Sequence, residues 1–198
     1  MKSFPSVILT LSNAFLFQGC GGDSEPNGSN PTDPNGNNST VALTPKTAPA
    51  PKGVVISKIE DSGVEVTFSL ATGEGGKRWL QANFAPTEEG YHVYSKDLPP
   101  DGIDGIGRPT LLELSKHEAI SYIGKLTADK KVHNLASPLN ADGFPVYPNG
   151  PVTLTLPFFL KAEENATIEI TAKVTYMACT KTNCKAPVEG KEVKLTLR

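Results

Sequence analysis

Cys179 and Cys184, in the run Tyr176-Met-Ala-Cys-Thr-Lys-Thr-Asn-Cys-Lys-Ala-Pro187, are the residues of this chain best suited to chemistry. The third cysteine, Cys20, lies near the N-terminus. A bridge between Cys179 and Cys184 closes a ring so small that chain entropy gives it only about 2 kcal/mol, less than a bridge between distant segments contributes. Reversible thiol–disulfide exchange suits the pair better. Lys181 and Lys185 flank the sulfurs, and no acidic residue occurs between Thr171 and Val188. Local positive charge favours the thiolate, the form that attacks a disulfide. A static staple across a hairpin is the competing reading in an exported chain. Spacing alone leaves the two open.

The elements that must position these sulfurs read as β-strands. Val54 to Ile59 and Val64 to Leu70 form a hairpin about Asp61-Ser62-Gly63, and Trp79 to Phe84 pairs with Tyr91 to Ser95 across a Gly- and Pro-containing turn. Leu111 to Leu114, Val152 to Leu156, Thr167 to Ala178 and Val193 to Leu197 follow, and only Leu111 to Tyr122 carries a trace of helical spacing. Many short strands between Gly- and Pro-rich turns imply an all-β sandwich. In the longest strand Ile168, Ile170, Ala172, Val174, Tyr176 and Ala178 share one face, and Cys179 falls on the other. The alternation therefore predicts a reachable Cys179 sulfur, away from the core.

Other chemistry is poorly supported. A formal net charge of −2 gives no general attraction for nucleic acid. His92, His117 and His133 are scattered, so neither a zinc site nor a cofactor is expected. Met177 adds a soft donor that suits Cu(I), a weaker use of the same sulfurs. Gly73-Glu-Gly-Gly76 and Asp101-Gly-Ile-Asp-Gly-Ile-Gly107 lack the strand–loop–helix setting of a phosphate cradle and read as turns. Glu88 and Glu89 read as a solvated charge pair.

Residues 1–19, with Lys2 and the apolar stretch Val7 to Phe17, read as an export signal too short to span a membrane. Leu16-Phe-Gln-Gly-Cys20 resembles a bacterial lipoprotein signal peptide, which implies lipidation of Cys20 and a membrane anchor. Gly21 after the cysteine, in place of an aspartate, favours the outer membrane by the same resemblance. Residues 20–52 are rich in Gly, Pro, Asn and Ser. That composition predicts a disordered tether spanning on the order of 30 Å r.m.s.. Residues 53–198 make one domain.

Within that domain Gly90-Tyr-His-Val-Tyr-Ser-Lys96, Leu154-Thr-Leu-Pro157 and Val174 through Cys179 to Cys184-Lys-Ala-Pro187 occur in order. Together they resemble the N-terminal periplasmic domain of the thiol:disulfide interchange protein DsbD. The resemblance implies an immunoglobulin-like sandwich with a redox-active Cys179–Cys184 disulfide. It also implies exchange with thioredoxin-like donor and acceptor proteins in the bacterial envelope. Cys184 would attack a partner's disulfide, with Cys179 as resolving thiol. His92, Tyr94, Asp142 and Phe144 match the surroundings of the pair, the last two in a cap loop where Gly143 lets the backbone swing. Tyr147 is the substitute cap if the alignment slips. His92 is expected to be an exposed strand residue. The sequence contains neither the membrane helices nor the thioredoxin-like module of that family, so reducing equivalents would come from a separate protein, or the chain would be a non-enzymatic binding or adaptor sandwich with a structural Cys179–Cys184 disulfide.

Overall fold

The computed structural model describes residues 50–161 and 167–197, and these contain no helix. Cys20, the signal-like segment and nearly all of the expected tether lie outside the described residues. The first hairpin joins β1 (Val54–Asp61) to β2 (Val64–Thr72). Its loop residues Ser62 and Gly63 have φ of 47° and 70°, the left-handed pair a type I′ hairpin turn requires. Then come β3 (Lys77–Pro86), β4 (His92–Val93), β5 (Leu111–Leu114), β6 (Ile120–Ile123), β7 (Thr127–Ala128) and β8 (His133–Ser137). The chain continues through β9 (Asn140–Val146), β10 (Val152–Leu160), β11 (Ile168–Tyr176), β12 (Ala178–Cys179) and β13 (Val188–Leu197).

One sheet runs β1-β2-β3-β10-β6, with β7 also beside β10, and a second runs β13-β11-β5. All of these pairings are antiparallel. Alternate residues of β2, β3 and β10 (Phe68, Leu80, Phe84, Leu154, Phe158) meet those of β11 and β13 (Ile170, Val174, Tyr176, Leu195) in one core. Each such side chain contributes about 1.5–3 kcal/mol on leaving water. Tyr176 packs edge-on to Phe84 at 5.5 Å, and its hydroxyl reaches the Asp61 carbonyl at 3.1 Å, so the phenol's polar end is satisfied. The chain is an immunoglobulin-like antiparallel β-sandwich, as the strand pattern implies.

Three expectations need correcting. β4 does not pair with β3, whose two edges are taken by β2 and β10; it pairs with β12. The strand expected to end at Leu156 continues through Pro157 to Leu160. Pro157 is tolerated because its carbonyl, and with it the missing N–H, faces Gly124, where the neighbouring strand changes from β6 to β7. The segment read as a free cap loop is half of a hairpin, β8–β9. Gly143 sits in it at φ 72°, with the Leu135 carbonyl only 2.7 Å from where a Cβ would be. A swinging backbone is not what this glycine provides; it permits a close strand approach.

Candidate functional site

The site is built by one run of strand pairing. Cys179 lies opposite His92 across β12–β4, and Tyr94 lies opposite Val146 of β9. Residues directly opposite share a face, as do residues two apart on a strand. Cys179, His92, Tyr94, Val146 and Phe144 therefore share one face. Ala178, Val93 and Tyr147 fall on the reverse, within the main core. Backbone bonds from Ser95 N–H to the Pro145 carbonyl and from Tyr147 N–H to the Val93 carbonyl, at 2.9 and 3.0 Å, lock the two segments in that register.

The period-two argument thus gave the correct face for Cys179 and the wrong accessibility. Cys179 is 1% exposed. Its face is roofed by a second apolar cluster of Tyr94, Leu98, Phe144 and Val146, with Ile103, Ile106, Leu135 and Met177 packed against it. Cys184, at the far side of the ring, is exposed. The two are joined as a disulfide with Cα atoms 4.1 Å apart. The ring residues also form a tight turn without help from sulfur. Lys185 N–H donates to the Ala178 carbonyl at 2.9 Å and Thr180 N–H to the Asn183 carbonyl at 2.7 Å. Thr180 Oγ1 accepts from the Asn183 N–H at 3.0 Å.

Tyr94 is central to this arrangement. Its hydroxyl donates to Cys179 Sγ at 3.4 Å, and its ring meets Phe144 edge-on at 6.1 Å. Thr110 Oγ1 donates to its carbonyl at 2.7 Å, fixing the backbone. Burial pushes the Tyr94 phenol above its usual range, so it remains a donor. His92 is buried, contrary to the expected exposed position; it lies opposite Cys179 on the covered face, with the Tyr94 ring edge-on at 6.1 Å. Burial holds His92 below its ordinary value; a hydrogen bond from the imidazole to the Asn149 side chain opposes this, and the charge of His133 adds to it. Asp142 is exposed on β9, with its N–H on Asn140 Oδ1 at 3.1 Å, outside the cluster around Cys179. Tyr147 is a core residue whose hydroxyl accepts from the Lys96 N–H at 3.3 Å.

The charge balance also changes in three dimensions. Glu88, remote in sequence, pairs with the Lys185 ammonium, which lies 5.0 Å over the Tyr91 ring. The hydrogen bond to Glu88 is the main reason the Lys185 amine is held above its usual range. Lys181 stays exposed in the ring. Sequence reasoning read Asp101 to Gly107 as a turn but missed that Leu98, Ile103 and Ile106 pack into the cluster around Cys179. The only signal was an Asp-Gly pair between two isoleucines.

No family model matches the sequence, and no curated protein matches it. Among solved structures, the chain is similar to the N-terminal periplasmic domain of ScsB from Proteus mirabilis, at 8% identity and a TM-score of 0.48 over 73% of this chain and 51% of that one. It spans about half the length of that protein chain. The DsbD N-terminal domain of Neisseria meningitidis in the reduced form is similar at 15% identity and a TM-score of 0.40, over 68% and 84% of the two chains. The GAE domain of GGA2p from Saccharomyces cerevisiae is similar at 10% identity and a TM-score of 0.38, over 75% and 98%. At these scores the likenesses decide nothing about activity.

Proposed function

We propose that this chain is an envelope thiol–disulfide exchange domain that passes reducing equivalents between thioredoxin-like partners through Cys179 and Cys184. The observation that carries this reading is the asymmetry of the pair. One sulfur belongs to a residue exposed on a turn, and the other is sealed under aromatic side chains with a phenol hydroxyl aimed at it. Exchange needs one reachable sulfur and one stabilised leaving thiolate. Cys184 supplies the first, and Cys179, with the Tyr94 O–H beside it, supplies the second. Because the backbone closes the turn, cleavage of the S–S bond leaves the turn folded. His92, Tyr94 and Phe144 surround the pair in this reading, and Asp142 contributes no more than surface charge. Cys20 carries the lipid anchor, and the domain works at the outer membrane facing the periplasm.

A binding module with a static bridge is the second reading, favoured by the burial of Cys179. The reduction potential separates the two. An exchanging pair should lie above about −300 mV, whereas structural bridges lie below it. Cys179→Ala should then trap a mixed disulfide with a thioredoxin-like protein through Cys184, and Cys184→Ala should trap none. A bridge that resists physiological dithiols, with neither variant trapping a partner, would overturn the exchange reading.

A further inference from the structure

The cover over Cys179 has a second half, formed by Pro99-Pro-Asp-Gly-Ile-Asp-Gly-Ile-Gly107. Ile103 and Ile106 exchange both backbone hydrogen bonds, at 3.0 and 2.9 Å. Between them Asp104 and Gly105 have φ of 52° and 78°, an Asp-Gly turn of type I′. This small hairpin lays both isoleucines against the cluster that contains Cys179. Gly107, at φ 83°, brings the backbone onto the Tyr94 ring, where a Cβ would lie 2.9 Å from Cε1.

One guanidinium fastens the loop. Arg108 Nη1 donates to the carbonyls of Gly107, Asp101 and Gly105 at 2.7, 3.3 and 3.4 Å. Its Nε is ion-paired to Glu189. Glu189 lies one residue into β13, just beyond the Cys184 turn. A single side chain thus ties the loop to the strand that follows the sulfurs.

We propose that the Pro99–Gly107 loop, held by Arg108, determines which sulfur a partner reaches. It closes Cys179 and leaves Cys184 as the point of exchange, a role that rests on the exchange reading above. With the pair oxidised, a thiolate of a dithiol partner protein attacks Cys184 Sγ. The new S–S bond forms there, the Cys179–Cys184 bond breaks, and Cys179 leaves as a thiolate that then takes up a proton. The partner's second thiolate attacks the partner sulfur of the mixed disulfide and releases the Cys184 thiolate. The partner departs oxidised by two electrons, and the pair has gained them. Attack at Cys179, 1% exposed within this cluster, would require the cover to open. Arg108 touches neither sulfur and is a positioning residue.

The test alkylates the reduced full-length chain with iodoacetamide and follows each cysteine separately by mass spectrometry. In the parent Cys184 should label first. Arg108→Ala should speed labelling of Cys179 by about tenfold or more and leave Cys184 within about twofold, since only the closed sulfur gains access. Arg108→Lys, which keeps the charge without the planar fork, should give an intermediate rate. Should Arg108→Ala fail to fold, Ile106→Ser opens the same cover with the latch intact and should give the same selective acceleration. Unchanged Cys179 labelling, or equal acceleration of both cysteines, would overturn the proposal. Labelling of the reduced thiols does not depend on any partner. A structural reduction potential would therefore remove the exchange reading while the labelling result stood.

Discussion

Phe144 separates two roles that aromatic residues near a disulfide can have. It is buried and packs on Tyr94 beside Cys179, so it both excludes solvent from the sulfur and supports the satellite cluster. Phe144→Ala should therefore speed alkylation of the reduced Cys179 and also lower stability by about 3 kcal/mol, the low end for a buried phenylalanine. Chemical denaturation and labelling on the same variant check both effects. Tyr147, on the opposite face, should behave differently: Tyr147→Phe loses one hydrogen bond, costing about 1 kcal/mol, and leaves Cys179 reactivity unchanged. His92 gives a pH dependence. Its folded-state pKa is depressed by burial, with Asn149 and His133 as the polar groups acting on its ring. The unfolded chain binds the proton more tightly, so stability should fall as pH drops through about 6.5 and level off below the folded pKa. Thermal melts from neutral to acid pH should show this slope in the parent and lose it in His92→Gln. None of these side-chain environments was legible locally. The alternation placed Cys179 on the outer face, but the residues that roof it come from segments far away in the chain.

The turn from Ala178 to Lys185 is the element on which the exchange reading depends. Backbone bonds and Thr180 close it, and Asn183 Nδ2 donates to the Tyr91 hydroxyl at 3.3 Å, tying the turn to the start of β4. Reduction should therefore cost about 2 kcal/mol or less. Hydrogen exchange should find the Lys185 and Thr180 amides protected in the dithiol state as in the disulfide state; their loss on reduction would mean that the bridge holds the turn. The sequence was a good guide to β2, β3, β10, β11 and β13, because each buries one face and so carries a period of two, and to β1 through the turn at Ser62-Gly63. It was a poor guide to β8 and β9. That hairpin contains Pro138, Gly143 and Pro145, residues that read as loop. Pro145 is accommodated in β9 within a two-stranded sheet. The Glu88–Lys185 pair was hidden for a similar reason, since only the folded chain brings the β3–β4 connection beside the Cys184 turn.

The sandwich supplies a rigid end at which β4, β9, β12 and the Pro99–Gly107 loop converge, and the sulfurs sit there instead of in the core. On the exchange reading proposed above, the domain must meet redox partners, and the N-terminal residues bear on how it would do so. The apolar stretch Val7 to Phe17, followed by Gly19-Cys20 and then a Gly-, Pro-, Asn- and Ser-rich segment, supports the proposal of a lipidated cysteine that holds the domain near a membrane. Each buried CH₂ of an attached chain contributes about 0.8 kcal/mol of membrane affinity, so if Cys20 is acylated, partitioning should respond strongly to its loss. Cys20→Ala, expressed as the full chain in a bacterial host, should move the protein from the detergent phase to the soluble fraction. The Cys179–Cys184 pair should keep its reduction potential if the anchor serves only to hold the domain at a membrane. Unchanged partitioning would rule out lipidation at Cys20 and leave an ordinary secretory signal as the reading of residues 1–19. A changed potential would mean that the N-terminal segment contacts the site.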